Sequence, residues 1–104
     1  MTAEKSLDSI QHEIAGERAG ALGRSGRRLR VALDALQRFD GSVADAQQSD
    51  RVGRSKLVQI ASDAFWLYVV QREALGLVDV EYVRREYGVP AEVWRYAGSG
   101  EPGR

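Results

Sequence analysis

Apolar residues recur along the first third of the chain at helical spacing. Leu7, Ile10, Ile14, Leu22, Leu29, Leu33 and Leu36 fall within a residue of one face of a straight α-helix. The turns between them supply small residues: Ala15, Ala19, Ala21, Ser25 and Gly26. This pattern predicts a first helix over about 7–39. Ser6 is the expected N-cap, with Asp8 in the first turn where a carboxylate suits the helix dipole. Residues 1–6 are expected to be flexible. Asp40-Gly41-Ser42 is expected to end the helix, with Gly41 taking the left-handed conformation common at such ends. Gly16, Gly20, Gly23 and Gly26 lie inside this segment, and each costs about 0.8–1.0 kcal/mol against alanine. They either let another helix approach closely or mark a kink near Gly23 to Gly26. The unbroken phase of the apolar stripe favours a continuous helix.

A polar connector over 41–50 leads to a second apolar pattern. Leu57, Ile60, Ala61, Ala64, Phe65, Tyr68 and Leu75 share a face, predicting a helix over about 52–75. Gly76 followed by Leu77 suits a Schellman end. The run Phe65-Trp66-Leu67-Tyr68-Val69-Val70 is apolar all round and has strand propensity. No turn signal interrupts Ser55 to Leu75, and a lone strand has no partner, so it is read as helix. A helix apolar on every side is expected to be buried on every side. Asp79 can cap a short helix over about 79–87, with Val80, Val83 and Tyr87 inward and Gly88 at its end. Pro90 suits the first turn of a fourth over about 90–97, with Val93 and Trp94 packing inward. The fold class is therefore all-α: an antiparallel hairpin of two long helices plus two short C-terminal helices. Residues 7–97 form one domain, and 98–104, rich in Gly, Ser and Pro, read as a disordered tail.

About 33 helical residues make a rod of ~50 Å. A compact domain of this length has a radius of gyration near ~13 Å. The rod would project beyond a compact monomer, and projecting apolar surface is commonly covered by a second copy in a two-fold dimer. The expected interface takes the small-residue face of helix one and the excess apolar surface of helix two: Ala15, Ala19, Leu22, Gly26, Leu29, Phe65 and Trp66.

Composition narrows the partners. Fifteen basic and fifteen acidic residues leave a formal net charge of +0, so no whole-molecule field attracts nucleic acid or anionic membrane. Cysteine is absent, which removes disulfides and thiolate chemistry and fits a reducing compartment. The longest apolar run, Ala64 to Val70, falls far short of the ~20 residues of a membrane span. The N-terminal residues lack the parts of a signal peptide. The chain is read as cytosolic.

Four constellations bear on chemistry. His12, Glu13 and Glu17 lie close together, but the Glu-x-x-His spacing of bundle metal sites is missing, so they read as a solvated or ion-paired surface. Arg24, Arg27 and Arg28 share a face and could contact phosphate, against which stand overall neutrality and the absence of interleaved aromatics. Gln71-Arg72-Glu73 follows the most apolar stretch. Buried polar groups must be paired, and an ion-pair network to helix one, through Glu17 or Arg18, is expected. Helix three, the Gly88-Val89-Pro90 turn and helix four superficially match a helix-turn-helix, but Arg84 stands where the motif wants a small residue. No phosphate loop, nucleophile elbow or triad arrangement occurs; Ser25 has no histidine to activate it. No catalytic, cofactor or metal residues are assigned, and an enzyme is not expected.

The segments Glu13-Ile-Ala-Gly-Glu-Arg-Ala-Gly-Ala-Leu-Gly-Arg24, Val69-Val-Gln-Arg-Glu-Ala-Leu-Gly-Leu77 and Tyr87-Gly-Val-Pro90, in that order, resemble a small bacterial family of roughly hundred-residue proteins known only as a domain of unknown function. The resemblance covers about residues 7–97. It implies a bacterial, mostly helical protein and carries over no activity and no functional residues. The leading expectation is a non-enzymatic homodimeric interaction module, with a further protein partner allowed. The competing one is a nucleic-acid-binding regulator using the basic helix face or the degenerate helix-turn-helix. A metal or small-molecule binder would reveal itself by a ligand-dependent rise in melting temperature.

Overall fold

The structure, a computed structural model, describes residues 3–42 and 48–96. Four helices follow one another: α1 (Ala3–Ser42), α2 (Gln48–Ala74), α3 (Val80–Tyr87) and α4 (Ala91–Tyr96). α1 and α2 pack as an antiparallel hairpin, and α4 lies against α2. The expected tail over 98–104 lies outside the described residues.

α1 is continuous through all four internal glycines, over 40 residues. It also starts earlier and ends later than the sequence suggests. Position 6 is inside the helix, which begins upstream at Ala3, so Ser6 is not its N-cap and residues 3–5 belong to the rod. Gly41 stays helical; the positive-φ glycines among the described residues are Gly76 (φ 81°) and Gly88 (φ 61°). At both of these the chain closes a Schellman end. Gly76 N–H donates to the Glu73 carbonyl at 2.9 Å and Leu77 N–H to the Arg72 carbonyl at 2.9 Å. Val89 N–H donates in the same way to the Arg84 carbonyl at 2.9 Å. Asp79 caps α3 as expected, its carboxylate accepting from Tyr82 N–H at 3.1 Å.

The core gathers Leu29, Ala32, Leu33 and Leu36 from α1 with Val58, Ala61, Ala64, Phe65 and Val69 from α2. Val83, Val89 and Val93 close it from the C-terminal segment, and Leu29, Val83 and Val93 are fully buried. The two buried hydroxyls are satisfied. Ser62 Oγ lies 2.8 Å from the carbonyls of Val58 and Val93, tying α2 to α4. Ser25 Oγ lies 3.0 Å from the Leu22 carbonyl and 2.6 Å from Gln71 Oε1, tying α1 to α2.

Gln71 therefore pairs with Ser25, and not with Glu17 or Arg18 as the sequence suggests; Glu17 instead faces Arg24 at 3.6 Å on the exposed surface. The apolar run of α2 also departs from expectation. Phe65 and Val69 are buried, but Trp66 is 48% and Val70 40% exposed. One hairpin partner and one short helix cover only part of a helix circumference, and Trp66 and Val70 lie on the part they leave open.

Register fixes the shape. Ser25 faces Gln71, and Asp40 faces Arg54, so α2 ends opposite about residue 22 of α1. The earlier part of α1 runs on alone for roughly 28 Å. The molecule measures 67 × 22 × 22 Å with a radius of gyration of 17.8 Å, well above the ~13 Å of a compact domain this long.

Candidate functional site

Two features stand outside the core: the projecting part of α1 and an arginine–tyrosine groove where α3 meets the hairpin. The projecting arm repeats the apolar stripe in phase with the buried part of the same helix. Every residue from Leu7 to Ala19 is exposed. Leu7 is 56%, Ile10 52% and Ile14 46% exposed, whereas Leu29, Leu33 and Leu36, further along that stripe, are buried under α2. The difference arises because α2 stops, not because the pattern changes. The turn after α2, at the base of the arm, presents two further apolar side chains, Leu77 and Val78.

The residues expected at a dimer interface divide accordingly. Leu29 and Phe65 belong to the chain's own core, and Gly26 is buried beneath Tyr68 and Tyr87; the three are covered from within the molecule and leave nothing for a second copy to contact. Ala15, Ala19 and Trp66 are exposed, and Leu22 is half-buried at the arm's base. Gly16, Gly20 and Gly23 lie on the back of the arm, away from its apolar stripe.

The groove begins at Gly26. A Cβ there would lie 3.0 Å from Tyr87 Oη and 3.1 Å from Tyr68 Cε1, so glycine is what admits the tyrosine pair. The two rings meet at a centroid distance of 5.3 Å and an angle of 59°. Arg30 Cζ lies 4.7 Å from the Tyr87 ring centroid, and its Nη1 donates to the Tyr87 carbonyl at 3.3 Å. Arg72 Cζ sits 5.8 Å from the Tyr68 ring and 5.4 Å from the Tyr82 ring. Arg30, Arg72, the three tyrosines and Glu86 wall a hollow of about 320 Å³. Burial, reinforced by the neighbouring Tyr68 hydroxyl, pushes the Tyr87 phenol up to about 12 despite the two arginines.

The expected phosphate contacts fare differently. Arg24, Arg27 and Arg28 are all exposed on α1, and Arg24 faces Glu17. They do not line the hollow, whose cations are Arg30 and Arg72, but Arg27 lines the adjoining cleft with Gly26, Arg30, Tyr68 and Tyr87. Arg84, the residue that spoils the helix-turn-helix pattern, stacks on Trp94 at 3.7 Å and pairs with Glu81. It fills the space between α3 and α4 that a small residue would leave in that motif. His12, Glu13 and Glu17 are exposed along the arm.

Sequence reasoning missed one cluster. Arg54 on α2 bonds Asp40 of α1 through Nε at 2.8 Å and Nη2 at 3.2 Å. It bonds Glu92 of α4 through Nη1 at 2.9 Å and Nη2 at 2.5 Å. Hydrogen bonds from Arg54 hold both carboxyls below their ordinary range and keep the guanidinium charged. No local signal joins residues this far apart in sequence. The cluster is a clamp across three helices, in which Arg54 answers both carboxylates at once.

The fold and these surfaces define a small all-α hairpin protein with an extended helical arm. The chain belongs to a family described as Family of unknown function (DUF6665), whose model matches residues 2–103. No curated protein and no solved structure matches it. Among the described residues no helix is long and apolar enough to cross a membrane.

Proposed function

We propose that the protein is a non-enzymatic helical interaction module that works as a homodimer, with the α1 arm as its assembly element. One observation carries the reading: Leu7, Ile10 and Ile14 lie exposed on the stripe that α2 buries further along the same helix. Helices in proteins draw most of their stability from packing an apolar face rather than from propensity, and Gly16 and Gly20 weaken the propensity of this stretch. The arm is thus held by whatever covers its stripe. A second copy offers a matching surface, because a two-fold axis crossing the arm lays the two stripes antiparallel. Each partner arm then occupies the space beyond the end of α2, near Leu77 and Val78, and continues the two-helix pattern of the hairpin.

Light scattering coupled to size exclusion should report ~23 kDa, twice the 11.5 kDa chain. Replacing Ile10 and Ile14 together with Asp should give an 11.5 kDa species that still melts cooperatively, since both side chains lie outside the core. A wild-type monomer at micromolar concentration, or a dimer indifferent to that double substitution, would overturn the proposal.

A further inference from the structure

We propose that the hollow between α1, α2 and α3 binds a small phosphate-bearing molecule, with Arg30 and Arg72 as its cations and the surrounding tyrosine hydroxyls as further donors. The first argument is that Arg30 and Arg72 line one hollow. Neither has a carboxylate within salt-bridge distance among the described residues; exposed arginines of α1 such as Arg27, Arg28 and Arg38 share that property, but they do not line this hollow. The second is preorganisation. The Arg30 guanidinium lies within cation–π distance of the Tyr87 ring and that of Arg72 within the same reach of Tyr68 and Tyr82, which restrains both side chains. The in-plane N–H groups, one of which Arg30 gives to the Tyr87 carbonyl, otherwise remain available for bidentate donation.

The third argument is chemical match. Two cations and several hydroxyls suit an oxyanion with two charges and several acceptor oxygens; one carboxylate would leave a guanidinium uncompensated. All three tyrosine phenols are protonated throughout the neutral range, and the Tyr87 hydroxyl is shared with that of Tyr68. The hollow, about 320 Å³, falls at the small end of ligand sites. Glu86 lies in its wall and repels an anion there, so it tempers affinity without supplying a contact. This site does not depend on dimer formation.

Phosphate could arrive on a small ester or on a nucleic-acid backbone, and the test separates the two. Thermal melts in phosphate-free buffer at fixed ionic strength would compare sodium pyrophosphate, a nucleoside monophosphate and a short DNA duplex with sodium chloride alone. Pyrophosphate and the nucleotide should raise the melting temperature saturably. Arg30→Gln and Arg72→Gln should each weaken binding at least about tenfold, and Glu86→Gln should tighten it. Should the arginine variants fold poorly, pyrophosphate-dependent shifts of the wild-type tyrosine ring signals provide the second measurement. No saturable response to pyrophosphate, or unchanged binding in both glutamine variants, refutes the site. So does binding of duplex DNA alone that fades with salt and ignores Arg72→Gln, which would assign phosphate contact to the exposed arginines of α1.

Discussion

Glycines at superficially similar places do different work in this chain. Gly26 makes room for two tyrosines, whereas Gly16 meets nothing within 4 Å. Alanine at Gly16 should therefore stabilise the protein by about 0.8–1.0 kcal/mol through helix propensity alone. Alanine at Gly26 gains the same propensity but presses on Tyr68 Cε1, a ring atom wedged against Tyr87, and should lower stability by about 1 kcal/mol net. Paired denaturant titrations of the two variants check the opposite signs. The turn glycines teach a related lesson. Gly76 and Gly88 could be read from sequence because an apolar residue follows each one, Leu77 and Val89, and its N–H closes the Schellman bond. Gly41 looked similar, but Ser42 follows it and supplies no apolar anchor for the reversal, so the helix continues. The Tyr68–Tyr87 pair was invisible for a different reason: periodicity places both rings toward the core but says nothing of where their hydroxyls meet.

Between elements, hydrophobic pattern and polar linkage were unequally legible. The order of helices, their faces and the hairpin followed from apolar periodicity, because burial of such faces dominates packing. The clamp of Arg54, Asp40 and Glu92 did not, because it joins α1, α2 and α4 through side chains whose neighbours along the chain are ordinary surface residues. Its contribution should depend on pH. Both carboxyls have folded-state values below their unfolded ones. The stabilisation is therefore complete above the ordinary carboxylate range and is lost as pH falls through the lowered values. Arg54→Met should cost on the order of 1 kcal/mol near neutrality, the partly exposed ion pairs being screened. The gap in melting temperature between variant and wild type should begin to narrow as pH falls below the ordinary carboxylate range, about 4, and go on narrowing through the lowered values. A gap that stays constant over that range would mean that Arg54 acts through its packing alone.

At the scale of the whole molecule, the length of 67 Å reflects a mismatch between a 40-residue helix and a 27-residue partner. The stripe and its continuity through the glycines were readable in the sequence. Which apolar residues the monomer covers for itself was not, because that depends on where α2 begins and ends. Leu29 and Phe65 went inward for this reason, while Leu7, Ile10 and Ile14 stayed out. A homodimer held by its arms should gain helix as it assembles. Far-ultraviolet ellipticity per residue should increase on concentrating the protein from nanomolar to micromolar, in parallel with the mass measured by scattering. Constant ellipticity across a change in mass would place the contact elsewhere.

Because α2 falls short of α1, the amino-terminal rod leaves Leu7, Ile10 and Ile14 uncovered by its own chain. On the proposed assembly its winding would become a gauge of abundance: scarce chains would fray at that end and offer proteases a loose thread, while plentiful chains would zip shut and be spared.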